Sequence, residues 1–210
     1  LIRRIFIDLD DVLNTLVPSA LKHNGIWLCG NYASYPVHHG WDIVGAANEL
    51  VKHTELYKTT GIQFDRETFW GALGRKFWAS IPKTPICDWL LARASHLVGR
   101  ENVFVLTRTL HSESLAGKHD WVTSRLPEWI HDQMITCARK EVCARSDALL
   151  IDDNQDNIQA FLRAGGEAIM YPRPWNDLGY IEDAKSFISV ELNALFPDKD
   201  CCVHAVTPTK

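Results

Sequence analysis

Three carboxylates, Asp8, Asp10 and Asp11, fall within four positions directly behind the apolar run Ile5-Phe6-Ile7. A second acidic pair, Asp152-Asp153, closes the run "ALLIDD", and Thr107 closes "VFVLT". Lys140 follows a third apolar run, "MIT", by a few residues. Like charges at the ends of buried segments repel, so several carboxylates gathered at one place are costly unless a cation sits among them. All-oxygen ligands of this kind suit Mg²⁺, which keeps several waters and takes one or two carboxylates plus a substrate phosphate.

These residues can meet only if the runs that carry them lie side by side. "RIFID", "VFVLT", "MIT", "ALLID" and "EAIMY" are continuous apolar stretches, as strands of a parallel sheet covered on both faces tend to be. Helical patterns separate most of them. "SESLAGKHDWVTSRLP" places Leu115, Val122 and Leu126 on one stripe, with Ser112 as N-cap and Pro127 as stop; "NQDNIQAFLRAGG" has Asn154 as N-cap, an Ile158-Phe161-Leu162 face and Gly165 past its end. The alternation predicts a doubly wound α/β sheet, and ligands of open α/β sheets bind outside the carboxyl ends of the strands. Residues 17–99 break the rhythm. Ile43, Val44, Ala47, Leu50 and Val51 form one helical stripe, and Phe69, Leu73 and Phe77 a second weakened by Gly71 and Gly74. Thr84-Pro85 opens a third helix ending at Gly99. The expected organisation is an α/β core of residues 1–16 and 100–196, a helical insert of residues 17–99 after the first strand, and a tail of residues 197–210.

The ordered set of motifs resembles the haloacid dehalogenase (HAD) superfamily. Asp8-Leu9-Asp10-Asp11-Val12 matches its DxDx[TV] motif, Thr107 its second motif, a lysine its third, and Asp152-Asp153 in "LLIDD" its acidic fourth. The resemblance implies a HAD-like core with a small C1-type cap. It also implies that Asp8 attacks phosphorus, that Asp10 acts as general acid and base, and that Thr107 and a lysine hold the phosphate. The implied Mg²⁺ ligands are Asp8, the Asp10 backbone carbonyl and Asp152, with Asp153 as a ligand through water or a support. Lys140 is the expected motif lysine, Lys118 in "GKHDWV" has an expected phosphate or loop-anchoring role, and Arg108 is an added cation. "KHDWV", "LLIDD" and "AGGEAIMYPRPWN" most resemble 5′(3′)-deoxyribonucleotidases and related nucleotidase-like proteins. This implies an Mg²⁺-dependent phosphatase of a nucleoside monophosphate, with no stable nucleic-acid binding, no membrane association, and room for a homodimer. A phosphatase of another small metabolite, or a HAD-fold binding protein without catalysis, are the alternatives.

Taken singly, these residues have plainer readings: "DLDDV" as a solvated turn, Thr107 as a strand-end cap, Lys118 as a surface lysine. A calcium loop fails for "DDNQDN", because its sixth residue is Asn157 rather than glycine and its twelfth is Arg163 rather than glutamate. His38-His39 sits beside Gly40 and Trp41 in loop-like sequence and is expected to be solvated rather than metal-bound. Of the insert's aromatics, Phe69 and Phe77 share a stripe and are expected to pack. Trp27, Tyr32, Tyr35 and Trp41, among glycine, asparagine and proline, are the candidates for stacking on a flat substrate group.

The bulk properties agree with a packed enzyme-like domain. The 210 residues are 46% hydrophobic and 23% charged, with a formal net charge of -4. That charge disfavours broad nucleic-acid coating but not a small phosphate ester, because the local field decides. The six cysteines form no CxxC pair, the N-terminal residues show no signal-peptide layout, and no apolar run approaches a membrane span. Reduced cysteines and a cytoplasmic location are therefore expected.

Overall fold

The computed structural model describes residues 1–28 and 32–197. In chain order the elements are β1 (Arg4–Ile7), α1 (Leu16–His23), α2 (Ile43–Val51), α3 (Glu55–Thr60), α4 (Arg66–Gly71), α5 (Arg75–Ser80), α6 (Cys87–Val98), β2 (Val103–Thr107), α7 (Ser112–Arg125), β3 (Met134–Thr136), β4 (Ala148–Asp152), α8 (Gln155–Arg163), β5 (Glu167–Met170) and α9 (Ala184–Leu195). Cys29, Cys201, Cys202 and nearly all of the expected tail lie outside the described residues. No helix among those described is long and apolar enough to cross a membrane.

The five strands pair in parallel in the order β3-β2-β1-β4-β5. Their side chains alternate between two cores. Ile5, Ile7, Val103, Val105, Leu149, Ile151 and Ile169 enter the larger core, with Leu90, Leu91 and Leu97 of α6, Trp121 of α7 and Ile188 of α9. Phe6, Leu106, Ala148 and Leu150 enter a smaller core with Phe161 of α8. Burial on both faces is why these strands read as unbroken apolar runs. The chain leaves β1 toward β2 and β3 on one side and returns through β4 to β5 on the other. The order therefore reverses between β1 and β4, the place where open α/β sheets open a crevice for ligands.

The insert is shorter than residues 17–99. Its neck closes where Asn14 and Lys83 form an antiparallel bridge. There the Thr15 N–H donates to Pro82 O at 3.0 Å, and the Thr84 N–H to Leu13 O at 2.9 Å. α6 lies outside that neck and packs on β1 and β2. It is the crossover that two parallel strands require, not part of the cap. Thr84 does not cap it; the Thr84 hydroxyl donates to Val12 O at 2.8 Å and ties the neck instead. The stripe expected through Phe69, Leu73 and Phe77 is two short helices, α4 and α5, parted at Ala72–Gly74, where Gly74 is the N-cap of α5. In α7 the N-cap is His111, and Leu115 is exposed while Trp121 carries the burial.

α5 packs closely along α7 and brings the insert down onto the core. The approach depends on Gly117, where a Cβ would stand 2.4 Å from Trp78 Cβ and 2.5 Å from Arg75 O. Backbone cannot yield there as a flexible side chain could. Gly117→Ala should therefore destabilise the protein by about 1–3 kcal/mol through overpacking, even though alanine is the better helix former. Urea denaturation checks this; a gain in stability would show that α5 and α7 do not need to meet so closely.

Candidate active site

The crevice between β1 and β4 is walled by carboxylates. Asp8 extends β1, its N–H donating to Ile151 O of β4 at 2.9 Å, and Asp152 is the last residue of β4. Parallel pairing at the end of two adjacent strands therefore places the two carboxylates together. Lys140, 3% exposed, bridges them, with Nζ 2.7 Å from Asp8 Oδ1 and 2.7 Å from Asp152 Oδ2. Burial works against the Lys140 charge, but the pairing with Asp152 and Asp8 outweighs it and its pKa is raised. Asp8 Oδ1 also accepts from the Leu9 N–H at 2.7 Å. Asn157 on α8 donates its amide to both oxygens of Asp152, at 3.2 and 3.1 Å.

Behind Asp8 the chain turns sharply. Asp11 takes a positive φ of 56°, which asparagine and aspartate tolerate better than most residues. The Asp11 carboxylate accepts the Val17 N–H at 3.1 Å, and the Arg173 guanidinium donates to the Asp11 carbonyl at 2.7 Å. This buried turn projects Asp10 back toward Lys118 of α7. Lys118 Nζ donates to Asp10 Oδ2, to Thr107 Oγ1 at 3.0 Å and to the Arg108 carbonyl. A lysine on the helix after β2 is thus buried because it satisfies three acceptors.

Asp153 points into the same crevice. Its Oδ2 accepts the Trp175 indole N–H at 2.6 Å, while its Oδ1 is buried with no hydrogen-bond partner. One oxygen from each of Asp8, Asp152 and Asp153 lies within 4.8 Å of the others. Burial lifts the Asp8 carboxyl to about 7 despite Lys140, with Asp152 and Asp10 adding to the rise. Asp11 is lifted to about 8 by burial, which Arg173 and the Val17 N–H only partly oppose. Asp153 is raised well above the carboxylate range by burial and then by Asp152, Asp11 and Asp8. An orphaned buried oxygen amid crowded carboxylates is what a hard divalent cation would satisfy, so these residues fit Mg²⁺.

A cavity of about 190 Å³ opens above Asp8, Asp10, Lys118 and Lys140. Arg108 and Leu110 wall it from the core, and Trp41, Asp42, Arg66, Trp70 and Trp78 from the insert. Of the four aromatics expected to reach substrate, Trp41 alone lines it. Trp27 is 68% exposed, with Lys22 Nζ 4.6 Å from its ring centroid. Tyr35 is buried edge-on against Trp175, its hydroxyl donating to Gly40 O at 2.7 Å. Tyr32 also packs on Trp175, with Arg173 over its ring. Trp175, the ring that drew both tyrosines inward, comes from the far end of the chain, which is why the loop composition around them misled. Trp70 and Trp78 were missed because each is the immediate neighbour of a stripe residue, Phe69 or Phe77. Nothing local distinguishes the stripe from the cavity wall.

No protein-family model and no curated protein matches the chain. Among solved structures it is similar to a HAD-superfamily hydrolase, subfamily IA, variant 1, from Geobacter sulfurreducens PCA, at 14% identity and a TM-score of 0.51, over 90% of this chain and 96% of that one. It is similar also to a dehalogenase in an intermediate complex, at 11% identity and a TM-score of 0.52, over 93% and 97%. The fold is that of the HAD hydrolases. One of the two is a dehalogenase and the other a HAD-superfamily hydrolase, so the likeness shows a fold and not an activity.

Raised carboxyl pKa values make a prediction about stability. Between about pH 5.5 and pH 8, where ordinary carboxyls are ionised in both states, Asp8, Asp11 and Asp153 hold protons in the folded protein that the unfolded chain has lost. In chelator, stability should therefore fall as pH rises through this window. Mg²⁺ should restore more of it at about pH 8 than at about pH 5.5, and Asp8→Asn should flatten the fall. Thermal melts in EDTA across the window check this; a melting temperature that climbs with pH would contradict it.

Proposed function

We propose that the protein is an Mg²⁺-dependent phosphomonoesterase that works through an aspartyl-phosphate on Asp8, with nucleoside monophosphates as its substrates. The observation that carries this reading is one cavity floor bearing two carboxylates, Asp8 and Asp10, each held by its own buried lysine. One is positioned to attack and the other to carry a proton, which is the division of labour that phosphate-ester hydrolysis through a covalent intermediate needs.

Asp8 Oδ1 is tied by Leu9 and Lys140, which leaves Oδ2 to attack phosphorus. The ester P–O bond breaks as Asp10 delivers its proton to the departing oxygen. Asp10 then takes a proton from the water that attacks the aspartyl-phosphate, releasing phosphate and regenerating Asp8. Lys118 and Arg108 line the cavity and would meet the phosphoryl oxygens, while Thr107, fully buried behind them, would act by holding Lys118 Nζ at 3.0 Å. Lys118 bridges Thr107 and Asp10, so phosphate oxygens that draw Lys118 to themselves free the Asp10 carboxyl to hold its proton. Asp8, the Asp10 carbonyl, Asp152 and Asp153 are the residues that would hold Mg²⁺. Bound there, the ion supplies charge neutralisation between the anionic nucleophile and the anionic phosphate.

Support for a nucleotide comes from the insert. Trp41, Trp70 and Trp78 line the cavity beside Ile43 and Val44, giving flat apolar walls, while Asp42 and Arg66 offer polar groups to base edges or sugar hydroxyls.

Asp8→Asn should lower turnover by about 10³-fold or more, at least about 4 kcal/mol of barrier, with the fold retained because the side chains are nearly isosteric. Near-normal turnover by that variant would rule the covalent route out. EDTA should silence the enzyme and Mg²⁺ restore it, with Ca²⁺ a poor substitute because its larger, looser coordination could engage both Asp8 oxygens.

The substrate class is tested by kcat/KM for a deoxynucleoside monophosphate and for a simple alkyl phosphate. Trp41→Ala should cost the nucleotide roughly ten- to a hundred-fold and the alkyl ester little, as loss of one base stack would. Trp27→Ala should change neither. Equal losses on both substrates in Trp41→Ala would mean that the indole only holds the wall together.

A further inference from the structure

His38 is exposed and His39 partly sheltered, yet both rings meet a carboxylate. The short turn Val37–His39 packs on α2, and Glu49 of α2 meets both rings. His38 Nε2 lies 2.9 Å and His39 Nε2 3.0 Å from the same oxygen, Glu49 Oε2. The imidazole centroids are 4.4 Å apart. One ligand atom from each of the three residues lies within 4.8 Å of the other two. We propose that His38, His39 and Glu49 form a second metal site, specific for a transition ion of the zinc type and separate from the carboxylate cluster of the active site.

The geometry is close to what such an ion needs. Bond lengths of about 2.0–2.2 Å set neighbouring ligand atoms of a tetrahedral Zn²⁺ about 3.3–3.5 Å apart. The observed nitrogen-to-oxygen distances need to open by only about half an ångström to reach that range. Two imidazoles and one carboxylate leave a fourth position for water, and His39 is partly sheltered while His38 is open to solvent. The donor sets divide the metals between the two sites. Imidazole suits Zn²⁺ and its neighbours in the transition series, whereas Mg²⁺ prefers oxygen and would remain with Asp8, Asp152 and Asp153.

Asp42 caps α2 by accepting the Gly45 N–H at 3.0 Å. Its Oδ2 and His39 Nδ1 both crowd the space where a side chain at Gly45 would stand, 2.2 and 2.8 Å from that point, so the turn and the start of α2 meet closely there. Between His39 and Glu49 run Trp41, Asp42, Ile43 and Val44, all of which line the active-site cavity. Occupancy would therefore staple the turn to α2 and stiffen that wall.

The test is equilibrium binding of ZnCl₂ to the full chain, read by competition with a chromophoric chelator in excess Mg²⁺, so that the carboxylate site is occupied. A thermal melt with and without Zn²⁺ gives a second readout. Wild type should bind one equivalent at micromolar affinity or better and melt higher with zinc. His38→Ala, His39→Ala and Glu49→Gln should each weaken binding by at least about ten-fold and lose the thermal shift, while Asp152→Asn keeps both. No micromolar binding in wild type, unchanged affinity in His39→Ala, or loss confined to Asp152→Asn would each overturn the proposal.

Discussion

The structure turns on how much negative charge it buries at one sheet edge. Asp8, Asp11, Asp152 and Asp153 are all buried beside one another, with Asp10 at the rim. An arrangement of that kind stands only if opposite charge and hydrogen bonds are delivered to it from elsewhere. Lys140 from the loop after β3, Lys118 from α7 and Arg173 from beyond β5 each reach the cluster from a different part of the chain. The parallel sheet is what makes that convergence possible, since every strand delivers its C-terminal residues to the same edge. Burial first, and neighbouring carboxylates after it, push the Asp8, Asp11 and Asp153 carboxyls up despite these cations, and a crowded cluster of that kind could hold a divalent ion.

The insert is coupled to this edge at two places of different character. Trp175 gathers Tyr32, Tyr35 and Trp41 around its ring while its indole nitrogen holds Asp153. A single side chain thus connects a cavity wall to the acidic cluster. On the other side α5 lies against α7, where Gly117 admits it, and Trp78 stands over Lys118 at 5.1 Å. The neck at residues 12–15 and 82–84 joins these contacts by backbone hydrogen bonds and by the Thr84 hydroxyl on Val12 O. Motion of the insert would therefore bear directly on Asp10, through the Lys118 that both Trp78 and Asp10 touch.

The two proposed cation sites differ in chemistry: the carboxylate cluster is buried and all oxygen, and the His38–His39–Glu49 cluster is near the surface and mainly imidazole. Imidazole would favour a transition ion over Mg²⁺ at the second site. Trp41, which neither site owns, would respond to both.

Much of the architecture is written locally. Apolar runs ending in acidic or polar residues, separated by capped amphipathic stretches, determine five strands and their helices, because burial on both faces leaves an unbroken apolar signature in β2, β1 and β4. The same runs determine that Asp8 and Asp152 meet, since parallel strands of one sheet end at one edge; Lys140 joins them from beyond β3, and Thr107 is tied in through Lys118. What the sequence could not decide is which amphipathic segments face which partner. α6 has the same pattern as a cap helix, and only the closing of the neck at Asn14 and Lys83 assigns it to the sheet. Tyr32 and Tyr35 sit in loop-like sequence, yet Trp175, far along the chain, draws them into packing. Trp70 borders the stripe that packs, yet lines the cavity, and Trp78 lines it while packed in the core. Lys118 would pass for a surface residue until three acceptors close around it, and His38-His39 for a solvated pair until α2 presents Glu49. Periodicity specifies that a face will be buried; the identity of what buries it, and whether a charge finds a partner there, is a long-range property that exists only once the chain has folded.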